Sequence, residues 1–209
     1  MLEACRASLE AKCRARGIPV PAVRELTDMQ RGAAAYFVRK TADFFRDSRE
    51  RFPQDDLSDR CLVWLQGESD KTCQTLEYET MLETLWHTCR HKLGFTHFLC
   101  IRVGYFGDER IPAIMKAQEN FCAAQPDAWM MTRACSMMPW AGQDQDSWFV
   151  RRPEECYQNC RDSFAGFHNQ HINEKGFLLI AERMAARLEA ILEHRSLPEL
   201  EEELVRAMI

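Results

Sequence analysis

Residues 61–70 read Cys-Leu-Val-Trp-Leu-Gln-Gly-Glu-Ser-Asp, an apolar run that ends abruptly in polar residues. A short continuous apolar run is typical of a parallel strand that is buried on both faces. Open α/β sheets bind their ligands just beyond the carboxyl ends of such strands. We therefore expect Gln66 and Glu68 to face a crevice, with the glycine between them allowing a sharp turn. The alternative is a plain strand-to-helix turn in which Ser69 or Asp70 caps the next helix.

Two further apolar runs follow, at residues 97–103 and 128–134, and longer helical patterns separate the three runs. Before the second run, apolar residues recur at three- and four-residue spacing up to Gly94, which predicts a helix ending there. Before the third run, a second amphipathic pattern has Pro112 in its first turn. Crossovers of this length almost always make right-handed parallel connections. The order βαβαβ predicts an α/β fold with a short parallel sheet flanked by helices.

Length and terminal patterns predict the domain organisation. A chain of 209 residues is long enough for one sizeable core and too short for two. A Ser196-x-x-Glu199 capping box predicts an acidic amphipathic helix over residues 196–209. We predict one domain over residues 1–195, of which residues 1–30 form a helical extension.

Composition excludes several classes of partner and cofactor. The net charge is −5 and the basic residues are spread along the chain, which argues against nucleic acid. No run has the length of a transmembrane helix, and residues 1–17 lack the apolar core of a secretory signal, so we expect a cytoplasmic location. Ten cysteines stand mostly in apolar stretches without a Cys-x-x-Cys pair, which indicates reduced core residues. His87 and His91 have a metal-ligand spacing without an evident third ligand, so neither metal nor cofactor is expected.

The block Gln66-Gly67-Glu68 after a strand, together with Phe-His-Asn-Gln-His-Ile-Asn-Glu-Lys-Gly at residues 167–176, resembles the SGNH hydrolases. The similar branch contains sialate and other carbohydrate O-acetylesterases, in which a Trp-x-Gln-Gly-Glu-Ser-Asp block is typical. The resemblance covers about residues 30–192. It implies a three-layer, flavodoxin-like sandwich that acts on an O-acetylated carbohydrate.

The resemblance also assigns roles by position. It implies that His171 is the general base, that Gln66 donates to the oxyanion beside the backbone of Gly67, and that the Glu68 carboxylate orients polar groups. Acyl transfer needs a donor aimed at the developing negative charge and a base whose pKa lies near neutrality. The alternative for His171 is a surface histidine near a helix N-terminus.

Trp140, Trp148 and Asn173 are candidate substrate-binding residues, although apolar lid packing is the commoner use of such aromatic residues.

The chain departs from the family pattern at the nucleophile. No Gly-Asp-Ser or Gly-Gln-Ser turn precedes Gln66, and His168 replaces the aspartate that usually stands three residues before the catalytic histidine. The family sheet has five strands, and this chain matches only the last three. An exposed apolar edge at Cys61–Leu65 would follow, which predicts a homo-oligomer or a complementing chain that covers it.

Two functions are compatible with this pattern. The first is a carbohydrate O-acetylesterase or acetyl-transfer protein that is incomplete without a serine from elsewhere. The second is a non-catalytic binding or regulatory subunit, or a truncated remnant, that keeps the fold.

Overall fold

The computed structural model of the chain describes residues 2–22, 28–106, 109–137 and 174–201. The helices are α1 (Leu2–Arg16), α2 (Asp28–Arg51), α3 (Thr75–Thr88), α4 (Pro112–Ala124), α5 (Ala134–Met137) and α6 (Glu174–Leu192). The strands are β1 (Cys61–Trp64), β2 (His97–Ile101), β3 (Tyr105–Phe106), β4 (Glu109–Arg110) and β5 (Ala128–Thr132). Short helical turns cover Glu68–Asp70 and Cys89–Leu93.

A three-stranded parallel sheet in the order β1-β2-β5 is flanked by helices, which confirms the predicted α/β class. Four of the five β2 residues are buried, as the continuous apolar run predicted. Among the described strands β1 lies at one edge of this sheet, and its Val63 side chain is 51% exposed. A separate antiparallel pair joins Tyr105 to Arg110 and Phe106 to Glu109. The sequence did not predict this pair.

The described part of the chain divides into two compact units, Met1–Leu62 with Leu76–Phe98, and Val63–Thr75 with Leu99–Ile209. The single domain over residues 1–195 stays a prediction. None of the described helices combines the length and apolarity that a bilayer crossing requires.

In the first unit, most of the apolar stripe predicted up to Gly94 is buried along α3 and the helical segment after it. Its buried members are Tyr78, Leu82, Trp86, Cys89 and Leu93, whereas Leu85 is half-buried and Met81 is 40% exposed. The Trp86 ring meets the Phe98 ring edge-on, with 5.6 Å between their centroids. Burial of large aromatic side chains in this geometry is a main source of core stability. A second small cluster joins α1 to the start of α3 through Leu9, Cys13 and Leu76.

Gly94 ends the helical segment that follows α3, as predicted. Its φ is 70°, and its N–H donates to the Arg90 carbonyl. The Arg60 guanidinium packs beside this turn. It donates to the Leu93 carbonyl (3.3 Å) and lies 4.7 Å from the centroid of the Phe45 ring. A Cβ on residue 94 would stand 2.7 Å from Arg60 Nη1.

In the second unit, α4 and α6 both pack on β5. Pro112 lies in the first turn of α4, as predicted, because the missing N–H of proline costs nothing there. A core cluster joins β2, α5 and α6, and its members are Ile101, Ala134, Cys135 and Ile180.

The segment after α6 differs from the sequence expectation. Residues 195–201, where the capping box predicted the start of a terminal helix, are not helical. Tertiary contacts hold them instead. Arg187 donates through Nη1 to the Pro198 carbonyl and through Nε to the Met130 carbonyl (3.1 Å). Residues 202–209 of the predicted helix lie outside the described residues.

Substituting Gly94 with alanine tests the turn. We expect Gly94→Ala to lower the free energy of unfolding by about 1–2 kcal/mol, because a left-handed backbone strains any residue with a Cβ. Gly32→Ala is the matched control, since a Cβ in that part of α2 meets nothing within 4 Å. It should stabilise the protein by about 0.5–1 kcal/mol. Urea unfolding measures both, and equal effects of the two substitutions would contradict the turn geometry.

Candidate functional site

The block Gln66-Gly67-Glu68 lies just beyond the carboxyl end of β1. Gly67 is buried and has φ 147° and ψ −11°, a conformation that is essentially restricted to glycine. Its carbonyl accepts the Asp70 N–H (3.0 Å), which closes the short turn Glu68–Asp70. The backbone therefore turns sharply at Gly67. As a result, the polar side chains of Gln66 and Glu68 stay at the end of the strand.

Gln118 of α4 holds this block in place. Its side chain is fully buried, and its Nε2 donates to the Gln66 carbonyl (2.9 Å). Its Oε1 accepts the backbone N–H of Val103, just beyond β2 (3.0 Å). One amide thus satisfies a buried acceptor after β1 and a buried donor after β2. The two strand ends are fixed beside each other by this side chain.

The Gln66 side chain is engaged within its own turn. Its Nε2 donates to Asp70 Oδ2, with 2.7 Å between the two atoms. A hydrogen bond to a carboxylate is stronger than one between neutral groups, so Asp70 fixes the orientation of this amide. The contact joins residues four apart, whereas the sequence alone indicates for Asp70 only the role of a helix cap.

Glu68 lies within electrostatic reach of Cys135, which follows β5. Burial, together with the negative charge of Glu68, raises the pKa of the Cys135 thiol to about 12. The ends of β1 and β5 therefore both contribute to this edge of the sheet. The thiol itself stays protonated at neutral pH, and the described cysteines are free.

Two arginines that directly follow β2 and the end of β5 share one carboxylate. Arg102 Nη1 donates to Glu119 Oε1 (2.8 Å), and its side chain is only 4% exposed. Arg133 binds the same group with two parallel hydrogen bonds, Nε to Oε1 (2.7 Å) and Nη2 to Oε2 (2.9 Å). Burial alone would raise the pKa of Glu119. The hydrogen bond and charge of Arg133, with the charge of Arg102, lower it below its ordinary value.

A second carboxylate reaches the end of β5 from the C-terminal segment. Glu201 accepts the Thr132 hydroxyl at Oε1 (2.6 Å) and the Arg133 N–H at Oε2 (2.9 Å). Burial would raise the pKa of Glu201, but the backbone N–H of Arg133 and the Thr132 hydroxyl lower it below its ordinary value. The Thr132 hydroxyl also accepts the Ala134 N–H (3.0 Å).

Four of the predicted site residues cannot be placed. His171, Trp140, Trp148 and Asn173 lie outside the described residues, so their roles stay predictions. The structure does bring Gln66, Gly67 and Glu68 to the carboxyl edge of the sheet.

Sequence reasoning missed several polar residues of this edge: Arg102, Gln118, Glu119, Arg133 and Glu201. A signal existed for the two arginines, because each follows directly on a strand. None existed for Gln118, because a buried glutamine in an amphipathic helix reads like any polar residue of that helix.

His87 of α3 and His91 of the helical segment after it form a pair with a metal-ligand spacing. The rings of His87 and His91 lie 4.3 Å apart between centroids, and both residues are exposed. Among the described residues no group of three His, Cys, Asp or Glu side chains stands close enough together to hold a metal ion.

No family model matches this chain, and comparisons with curated proteins and with solved structures found no match. The function of the chain is therefore inferred from its own residues.

The shared carboxylate predicts a pH-dependent stability difference. We expect Glu119→Gln to lower the free energy of unfolding by about 2–4 kcal/mol at neutral pH, since two arginines lose their counter-charge. The folded-state pKa of Glu119 lies below its ordinary value of 4.5, so its contribution is present above that pH. The contribution disappears as the pH falls through the folded-state pKa.

Denaturant unfolding of wild type and Glu119→Gln from pH 7 downward measures this difference. Glu201 titrates in both proteins and cancels in the comparison. Lys116→Gln, at an exposed position of α4, is the control and should change stability by less than about 0.5 kcal/mol. A Glu119→Gln difference that stays constant with pH would contradict the ion-pair assignment.

Proposed function

We propose that this chain is an SGNH-type carbohydrate O-acetylesterase or acetyl-transfer protein whose nucleophilic serine comes from elsewhere. The observation that supports it is the turn Gln66-Gly67-Glu68, which Gln118 fixes at the carboxyl edge of a parallel sheet. Ligands of open α/β sheets bind at this edge. The same turn is the more specific part of the resemblance to the O-acetylesterases.

In the proposed reaction, a serine hydroxyl attacks the acetyl carbonyl of an O-acetylated sugar. His171 accepts the hydroxyl proton and returns it to the leaving sugar oxygen. The Gln66 amide and the Gly67 backbone contribute donors to the oxyanion of the tetrahedral intermediate. Trp140, Trp148 and Asn173 are the proposed contacts to the sugar.

Asp70 acts in this proposal as a positioning residue. Its carboxylate accepts from Gln66 Nε2 at 2.7 Å and so sets the direction of the amide plane. An amide held in one direction before the reaction stabilises developing charge without reorganising during it.

Two thiols of the described region, those of Cys89 and Cys135, are poorly suited to replace the missing serine. Burial raises the pKa of Cys89 to about 11 and that of Cys135 to about 12, the latter with help from Glu68. A nucleophilic cysteine requires the opposite shift, because the thiolate is the attacking form. We therefore propose a serine as the nucleophile, supplied from elsewhere.

The edge position of β1 supports a complementing partner. Val63 is 51% exposed, and β1 has no described neighbour on the side away from β2. Strand edges are templates for pairing with further strands. We propose that a second copy or a chain that carries the family's first strands pairs here and supplies the serine.

A non-catalytic binding or regulatory subunit is the second candidate. Glu201 favours it, because its carboxylate occupies hydrogen-bond donors at the end of β5. A protein that only binds an acetylated sugar needs the crevice but neither a nucleophile nor a base.

An acetyl-ester assay tests the proposal. We expect the chain alone to be inactive, and the chain together with the polypeptide that supplies a Gly-x-Ser turn to release acetate from an O-acetylated sugar. Gln66→Ala should lower kcat of the assembled enzyme about a hundredfold, and His171→Ala by at least as much. His168→Ala is the matched control and should keep full activity.

Activity that survives both Gln66→Ala and His171→Ala would refute the site assignment. An assembled protein that binds the acetylated sugar in calorimetry without releasing acetate would instead support the binding subunit.

A further inference from the structure

Helix α2 exposes large aromatic side chains. Tyr36 is 55% exposed, Phe37 is 42% exposed and Phe44 is 65% exposed. A different side chain, Phe45, fixes the helix to its own unit, and its ring meets the Phe95 ring with 5.2 Å between the centroids. Single exposed apolar residues are ordinary on a protein surface, whereas several close together are typical of an interaction site. The exposed side of α2 is therefore a candidate interaction surface.

Phe37 and Phe44 belong to one stripe that also carries charge. This α2 stripe consists of five exposed residues, which are Phe37, Lys40, Phe44, Asp47 and Arg51. Their spacing alternates between three and four residues, so they lie along one side of the helix. At 1.5 Å per residue the stripe is about 21 Å long, which is enough for a contact between two helices.

The contacts within α2 leave the charged groups of the stripe at the surface. Asp47 Oδ1 accepts from Arg46 Nη2 at 3.1 Å, and the Asp47 side chain remains 60% exposed. Lys40 Nζ stands 5.7 Å from the centroid of the Tyr36 ring, and Lys40 is exposed. Exposed contacts of both kinds are weak. Lys40 and Asp47 can therefore also pair with charges on a second molecule.

The order of charges along the α2 stripe is complementary to itself in one orientation. A second copy of α2, laid antiparallel about a two-fold axis near Phe44, brings Lys40 of each copy opposite Asp47 of the other. The same axis brings the two Phe44 rings together and places Phe37 beside Arg51 of the other copy. A parallel arrangement would set Lys40 against Lys40 and Asp47 against Asp47, and like charges repel.

We propose that the α2 stripe is an interface at which two copies of this chain associate with their α2 helices antiparallel. Burial of the Phe37 and Phe44 rings stabilises the dimer, and the two Lys40–Asp47 pairs select the orientation. Contacts of one surface with itself about a two-fold axis are the commonest kind in homo-oligomers. This interface does not depend on the esterase proposal, since it uses neither the turn at Gln66 nor the edge of β1.

Sedimentation equilibrium of the full chain, at low ionic strength and with reduced thiols, tests this interface. We expect the wild type to form a dimer. Phe44→Ser should raise the dimer Kd about tenfold or more, because the ring no longer contributes apolar area to the contact. Lys40→Asp should raise it by a similar factor, because two symmetry-related attractive pairs become repulsive. Arg49→Asp makes the same charge change on another side of α2 and should keep the wild-type Kd.

Reversing the charges together tests the antiparallel orientation. Asp47→Lys alone should weaken the dimer as Lys40→Asp does, but the double variant Lys40→Asp/Asp47→Lys should regain about the wild-type Kd. An equimolar mixture of the two single variants should form a heterodimer, since one then offers two acidic positions and the other two basic ones.

A monomeric wild type would overturn the proposal. A dimer whose Kd changes with neither Phe44→Ser nor Lys40→Asp would also overturn it, as would single variants that fail to form a heterodimer. Circular dichroism checks that each variant is folded. If Phe44→Ser does not fold, the charge variants decide alone, because Lys40 and Asp47 are exposed.

Discussion

The candidate site depends on the buried side-chain amide of Gln118. An amide is one of the few neutral groups that donates and accepts at once, so it can join a carbonyl after one strand to an N–H after the next. Gln118 makes this connection between Gln66 and Val103 without exposure to solvent. Losing it would leave two buried backbone groups without these partners, at a cost of about 1–3 kcal/mol each. This one side chain therefore ties the turn that contains Gly67 to the residue just beyond β2.

Glu119, the next residue of α4, makes a similar connection through its negative charge. Gln118 joins the ends of β1 and β2, and Glu119 joins the arginines that follow β2 and β5. Two consecutive helix positions thus connect all three strands of the parallel sheet at one edge. Buried ion pairs contribute less to stability than to the choice of one arrangement, because desolvation offsets much of their attraction. We infer that Glu119 fixes geometry at this edge more than it adds stability.

Much of the fold could be predicted from local patterns. Continuous apolar runs predicted the three parallel strands. Gly94 indicated where one helical segment ends, and Pro112 indicated where α4 begins. The short β3–β4 pair was missed, because two residues are too few to display a period. The terminal helix was predicted from a capping box at Ser196. Over residues 195–201 tertiary hydrogen bonds through the Pro198 carbonyl and Glu201 prevail over that local signal.

The site was predictable to a smaller extent. Polar residues at the end of an apolar strand placed Gln66 and Glu68 at the correct edge of the sheet. Their surroundings were not predictable, because Gln118 lies 52 residues beyond Gln66 and Glu201 lies 68 beyond Arg133. Periodicity identifies which face of a helix is buried, but it does not identify the backbone group that a buried polar side chain meets.

The hydrogen bonds of the Gln118 side chain test this account most directly. Long-range NMR couplings across hydrogen bonds detect the connection from the Gln118 side-chain N–H to the Gln66 carbonyl, and from the Val103 N–H to the Gln118 carbonyl. We expect both couplings, together with slow exchange of the Gln118 amide protons. A well-folded protein in which both couplings are absent and those protons exchange freely with solvent would contradict the account.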